Sequence, residues 1–89
     1  MVIRIFRATP KADKVKEYEQ LLIEQIPEMK QTSGCLGARV LKSLGVVREV
    51  LFITVWDNLE SVKAFAGIDW NTPVLMGNEV DLVEGDPEV

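Results

Sequence analysis

The side chains best placed to do chemistry in this sequence are four aromatics, Phe6, Trp56, Phe65 and Trp70, and two arginines, Arg4 and Arg39. The aromatics gather around a strand-to-helix junction. Core packing accounts for each of them singly. As a set they also suit an apolar cavity between a sheet and its helices, wide enough for a planar ligand, with Arg4 or Arg39 as the orienting charge. Arg4 shares a strand face with Phe6, so it either lays its stem along apolar surface at a rim or faces into that cavity. Trp70 is the most telling member. It falls in an irregular stretch between Asp69 and Asn71, where a tryptophan with a purely structural duty is less expected.

Other chemistries lack their parts. The sequence has no histidine and a single cysteine, so an ordinary zinc site and a Cys–His nucleophile pair are both excluded. Cys35 sits beside a glycine turn and reads as a small packing residue. No glycine-rich phosphate loop is present; Gly34, Gly37 and Gly45 serve turns and strand packing. The acidic residues Glu79, Asp81, Glu84, Asp86 and Glu88 match no calcium-loop spacing and read as a solvated tail. No cofactor and no metal is expected.

The elements that would position the aromatics follow from periodicity. Val2 to Ala8 alternates as a first strand, with Ile3 and Ile5 on one face and Val2, Arg4 and Phe6 on the other. Thr9-Pro10 predicts a helix start, with Thr9 as the cap and Pro10 as the first helical residue. Val15, Tyr18, Leu21, Leu22, Ile26 and Met29 then form one apolar stripe. Pro27 predicts a kink or break, and Gly34 the stop. Leu36 to Leu44 and Val46 to Trp56 are strands joined through a turn at Gly45.

Val46 to Trp56 is the informative strand, because Val50, Phe52, Thr54 and Trp56 alternate with Leu51, Ile53 and Val55. Both faces are apolar and both must be covered. A chain of 89 residues supplies one layer of helices, so a homodimer packing sheet against sheet is expected.

Asp57-Asn58-Leu59-Glu60 reads as a capping box with Asp57 at the cap, opening a helix that Gly67 closes. Leu59, Val62, Phe65 and Ala66 form its inner stripe. The order β-α-β-β-α is an α+β, ferredoxin-like split unit lacking its last strand. Glu79 to Val83 is the candidate for that strand, and Glu84 to Val89 reads as a turn-prone tail.

The whole chain, 1–89, reads as one domain. At 47% hydrophobic and 27% charged it is globular. A net charge of −4 with scattered cations argues against nucleic acid and anionic membranes as partners. No apolar run approaches the ~20 residues of a membrane span, and the N-terminus is too short and too charged for a signal peptide. A soluble, cytoplasmic protein is expected.

Trp56-Asp57-Asn58-Leu59-Glu60-Ser61, followed by Ala64-Phe65-Ala66-Gly67, resembles the antibiotic biosynthesis monooxygenase-like family of dimeric α/β barrels. Ile3-Arg4-Ile5-Phe6-Arg7 is similar to that family's first strand. Pro27 with Ser33-Gly34-Cys35-Leu36-Gly37 is similar to its helix break and turn. The resemblance implies a ferredoxin-like protomer, an antiparallel sheet with helices on one face, and a homodimer whose sheets form a barrel. Members of the family include cofactor-independent oxygenases of aromatic polyketides, haem-degrading enzymes, and small proteins acting on quinones or signals. The haem-degrading branch relies on a histidine ligand, which this sequence lacks. Relatives also carry a last strand of the type Val-x-His-Tyr-x-Val, and this chain ends about where that strand would begin.

Two functional readings follow, both with Arg4, Phe6, Arg39, Trp56, Phe65 and Trp70 around a small apolar or aromatic molecule. One is a cofactor-independent oxygenase, the other a binding module without catalysis. A purely structural dimer, with every aromatic in the core, is the third.

Overall fold

Val50–Trp56 alternates in burial residue by residue: Val50, Phe52, Thr54 and Trp56 are buried, while Leu51, Ile53 and Val55 are half-buried. A strand of β-branched and aromatic residues behaves this way when helices cover one of its faces. The computed structural model describes residues 1–43, 48–67 and 81–89, apart from the Asp86 side chain. In chain order its elements are β1 (Val2–Pro10), α1 (Val15–Lys30), β2 (Cys35–Lys42), β3 (Val50–Trp56), α2 (Leu59–Ala66) and β4 (Val83–Glu88). The strands form one antiparallel sheet in the order β2-β3-β1-β4. This is the ferredoxin-like α+β arrangement.

Register fixes the two faces. Val2, Arg4, Phe6 and Ala8 stand opposite Trp56, Thr54, Phe52 and Val50. Ala38, Val40 and Lys42 extend that face across β2. Tyr18, Leu22 and Met29 of α1 and Val62 of α2 join Phe6, Ala8, Val50, Phe52 and Trp56 in the core, so both helices lie on this side. Each fully buried aliphatic chain here contributes roughly 1.5–3 kcal/mol.

The other face carries Ile3, Ile5 and Arg7, then Val55, Ile53 and Leu51, then Gly37, Arg39 and Leu41. No described element covers it. Ile3 is 59% exposed and Leu41 46%.

Several local expectations are corrected. Thr9-Pro10 does not open a helix: β1 runs through Pro10, with Thr9 opposite Glu84 and Pro10 opposite Val83. The helix begins at Val15, with Lys14 at its cap and no side-chain cap bond. Pro27 neither breaks nor ends α1, which continues to Lys30. Pro27 removes the donor that would reach the Ile23 carbonyl and crowds that carbonyl, and the helix nevertheless runs three residues further.

The expected last strand is present; of the stretch Glu79 to Val83 read for it, Glu79 and Val80 lie outside the described residues and only Val83 belongs to the strand. It is the segment read as a tail: Val83–Glu88 pairs with β1 across an irregular register between Arg7 and Thr9. Asp81 and Leu82 precede it in a tight turn. Arg48 ties this edge down, its Nη2 donating to Glu84 at 3.0 Å and its Nε to the Pro10 carbonyl at 3.5 Å.

The cap of α2 is Asn58 and not Asp57: Asn58 Oδ1 accepts from the Ser61 backbone N–H at 2.9 Å. Asp57 accepts instead from the Ser61 hydroxyl, at 2.6 Å. The expected inner stripe is narrower than its pattern, since only Val62 is buried while Leu59 and Phe65 stay exposed. Gly67 closes the helix at φ 84°, its N–H donating to the Lys63 carbonyl. The turn expected at Gly45 lies outside the described residues.

Candidate functional site

Trp56 is the last residue of β3 and is completely buried, yet an indole carries an N–H that must find an acceptor. Two residues back on the same face, Thr54 supplies it: Trp56 Nε1 donates to Thr54 Oγ1 at 2.8 Å. The Thr54 hydroxyl donates onward, at a long 3.5 Å, to the Arg4 carbonyl across the strand pair. Thr54 was not among the predicted site residues. Its signal in the sequence is a lone hydroxyl on the buried side of an apolar strand, two residues before a tryptophan.

Against Trp56 packs Phe65 of α2, with ring centroids 5.3 Å apart and planes inclined by 34°. One ring is sealed in the core while the other is 43% exposed, so the pair carries an aromatic surface from the interior to the outside. Arg4 projects from β1 on the same sheet face, directly across from Thr54. It is half-buried, and desolvation by that burial lowers its pKa. Phe6 lies two residues along, buried opposite Phe52.

The sheet therefore brings Arg4, Phe6 and Trp56 onto one face, with Phe65 laid over Trp56. It does not bring Arg39 to them. Arg39 stands opposite Ile53, on the uncovered face, and cannot orient a molecule held on the helix side. Strand alternation alone separates the two arginines. Trp70 lies outside the described residues.

Arg39 belongs to a different feature. A groove of about 520 Å³ follows the outer edge of β2 beneath α1, lined by Ile23, Ile26, Lys30, Leu36, Arg39 and Leu41 among others. Its charged residues are both cations. Cys35, at the start of β2, directs its thiol to the Gly37 carbonyl at 3.4 Å. Among the described residues no cluster of three or more His, Cys, Asp or Glu side chains could hold a metal ion, and no helix is long and apolar enough to cross a membrane.

With the fold and these side chains placed, the chain meets a clear match among known families. The model of the antibiotic biosynthesis monooxygenase family matches residues 1–68. The chain belongs to that family. Among solved structures it is similar to a Deinococcus radiodurans protein assigned to antibiotic biosynthesis monooxygenases, at 26% identity and a TM-score of 0.67 over 78% of this chain and 68% of that one. A Nitrosomonas europaea protein assigned to the same family matches at a TM-score of 0.77 over 99% of this chain and 92% of that one; its 13% identity speaks for the fold alone. A Bacteroides thetaiotaomicron protein of unknown function shares the fold at a TM-score of 0.68 and 14% identity, over 97% of this chain and 89% of that one. No curated protein matches the chain.

Proposed function

We propose that this family member is a homodimer that binds a small planar aromatic molecule beside Arg4 and Phe65 and oxidises it with molecular oxygen, without a metal or organic cofactor. The observation that carries this reading is the placement of a half-buried guanidinium on the same face as an aromatic pair that reaches from core to surface. Such a site favours a flat molecule that becomes anionic, because its apolar walls strengthen the attraction between the cation and a developing phenolate or enolate.

In that chemistry the substrate supplies its own electrons. Arg4 favours the ionised form by lowering the pKa of the bound phenol or carbon acid. The electron-rich ring then reacts with oxygen at an activated CH2 carbon. One oxygen atom stays as a ketone, and the other leaves as water with the two hydrogens that the carbon loses. Residues of the chain bind, orient and exclude water; none needs to change oxidation state.

The dimer part of the reading rests on the uncovered face. Ile3, Ile5 and Leu41 stay exposed there beside Leu51, Ile53 and Val55. A contiguous apolar sheet face of this kind marks an interaction surface.

The experiment is a thermal-shift series with planar phenols, anthrones and quinones, followed by oxygen uptake with whichever class stabilises the protein. Stabilisation together with stoichiometric oxygen consumption supports the oxygenase. Stabilisation without consumption leaves a binding module, which is the second reading. No stabilisation by any class removes the pocket.

A further inference from the structure

Among the described residues the strands bury one side-chain hydroxyl, that of Thr54, which is 4% exposed. Valine has nearly the same shape and is favourable to bury, whereas a hydroxyl in apolar surroundings costs free energy unless it is bonded. Two residues on, the indole of Trp56 brings a second polar group into the same core. The two cancel, with Trp56 Nε1 donating to Thr54 Oγ1 at 2.8 Å. A valine and a phenylalanine would make an apolar core here with no polar group to satisfy. Packing alone does not call for the pair; what a fully satisfied buried pair supplies is orientation.

Thr54 touches two parts of the site at once. Its β-branched side chain has few rotamers, so the acceptor it offers has a set direction. The bond removes the half-turn an indole could otherwise make about its Cβ–Cγ bond and leaves the ring in one pose. Phe65 packs on that ring, with centroids 5.3 Å apart. The same hydroxyl reaches the Arg4 carbonyl at 3.5 Å, and Arg4 stands directly across from Thr54 on β1. One side chain thus meets both the aromatic wall and the strand that carries the cation. An indole has a single donor, and here it is turned inward to Thr54.

We propose that Thr54 is the positioning residue of this site: it fixes the Trp56 ring as a rigid backing for Phe65, and a planar anion is held by stacking and by Arg4, without a hydrogen bond from the indole. The inference rests on the aromatic-site reading and deepens it by stating what the ligand is, a flat apolar ring with its charge at one edge. Polar atoms on the stacked part of a ligand would go unpaired and count against it.

The test uses 2-naphthoate and its neutral isostere 2-naphthamide, titrated calorimetrically into the full chain. Thr54→Val should weaken both about fivefold, the effect of a backing ring that must be ordered on binding, and leave the ratio between them unchanged. Thr54→Ser should restore both, and Arg4→Met should weaken naphthoate more than naphthamide. Circular dichroism verifies that each variant is folded at the titration temperature, so lost stability does not enter. Unchanged affinities in folded Thr54→Val reduce Thr54 to a core residue and overturn the inference while the site stands. A loss confined to naphthoate also overturns it, by assigning Thr54 to the Arg4 strand alone. Neither probe binding the wild type overturns the aromatic-site reading itself.

A second measurement needs no Thr54 variant. The nuclear Overhauser contact between the Trp56 indole N–H, assigned by its absence in Trp56→Phe, and the Thr54 side-chain protons should be present in the free protein and persist with 2-naphthoate bound. Its loss on binding, with a new contact from the indole N–H to naphthoate protons, makes the indole a donor to the ligand and overturns the inference.

Discussion

Arg4 and Arg39 stand on opposite faces of the same sheet, one across from Thr54 and the other across from Ile53. The two cations therefore serve different surfaces, and their loss should separate. Arg4→Met should weaken binding of an acidic planar ligand by about tenfold, as expected for one charge-assisted hydrogen bond. Arg39→Met should leave ligand binding unchanged. Isothermal titration with whichever phenol or anthrone the thermal-shift series identifies reads both.

Thr54→Val should cost about 1–3 kcal/mol, because it leaves the indole N–H of Trp56 buried without an acceptor. Thr54→Ser keeps the hydroxyl and should recover most of that loss. Urea unfolding at one fixed protein concentration compares the two.

Phe65 and Val62 share α2 but do different work. Val62 is 1% exposed, so Val62→Ala should destabilise by roughly 1–3 kcal/mol. Phe65→Ala should change stability much less, yet remove the aromatic surface and weaken any planar ligand. Paired melting and binding curves on the two variants check this.

Gly34 lies at φ 85°, and a Cβ there would run into the Ser61 side chain and lie 2.9 Å from Asp57 Oδ1. Its carbonyl also accepts from the Asp57 N–H at 2.9 Å. Gly34→Ala should cost more than the ~1–2 kcal/mol of the left-handed backbone alone. Gly85→Ala, at φ 66° with open space around it, should show the backbone part only. The difference between their unfolding midpoints measures the contact.

Burial lowers the pKa of Arg4. A cation whose folded pKa falls below its unfolded one costs stability wherever it is protonated in both states, and that cost is relieved only as pH rises through the folded value. Arginine starts far above neutrality. The stability difference between wild type and Arg4→Met should therefore stay constant between about pH 5 and 9. Ligand affinity should instead rise with pH through the ligand's own ionisation, which titrations at several pH values separate.

Much of the architecture was legible because it rests on alternation. Val50 to Trp56 announces two apolar faces, and the parity of Arg39 with Gly37 and Leu41 already placed it apart from Ala38 and Val40. What that parity did not reveal was which face the helices cover. The misreadings share a cause, in that strong local signals yielded to pairing. Thr9-Pro10 looks like a helix start, but as β1 lies between β3 and β4 it stays extended to its end. Val83–Glu88 contains Gly, Asp and Pro, all poor strand formers, and becomes a strand because β1 offers it an edge. The Trp56–Phe65 contact was foreshadowed by type and junction, whereas the Thr54 acceptor was visible only once strand faces were assigned.

The sealed position of Trp56 also makes the protein its own optical instrument. An indole with no solvent contact, bonded to a hydroxyl and stacked on a half-exposed phenyl ring, should emit at short wavelength. A chromophoric occupant lying against Phe65 would be separated from it by little more than that ring. In a Trp70→Phe background it becomes the sole tryptophan, since the chain has two, and excitation at the red edge of the indole band leaves out Tyr18. Energy transfer from it to an absorbing quinone or phenolate would then report occupancy directly, without a label.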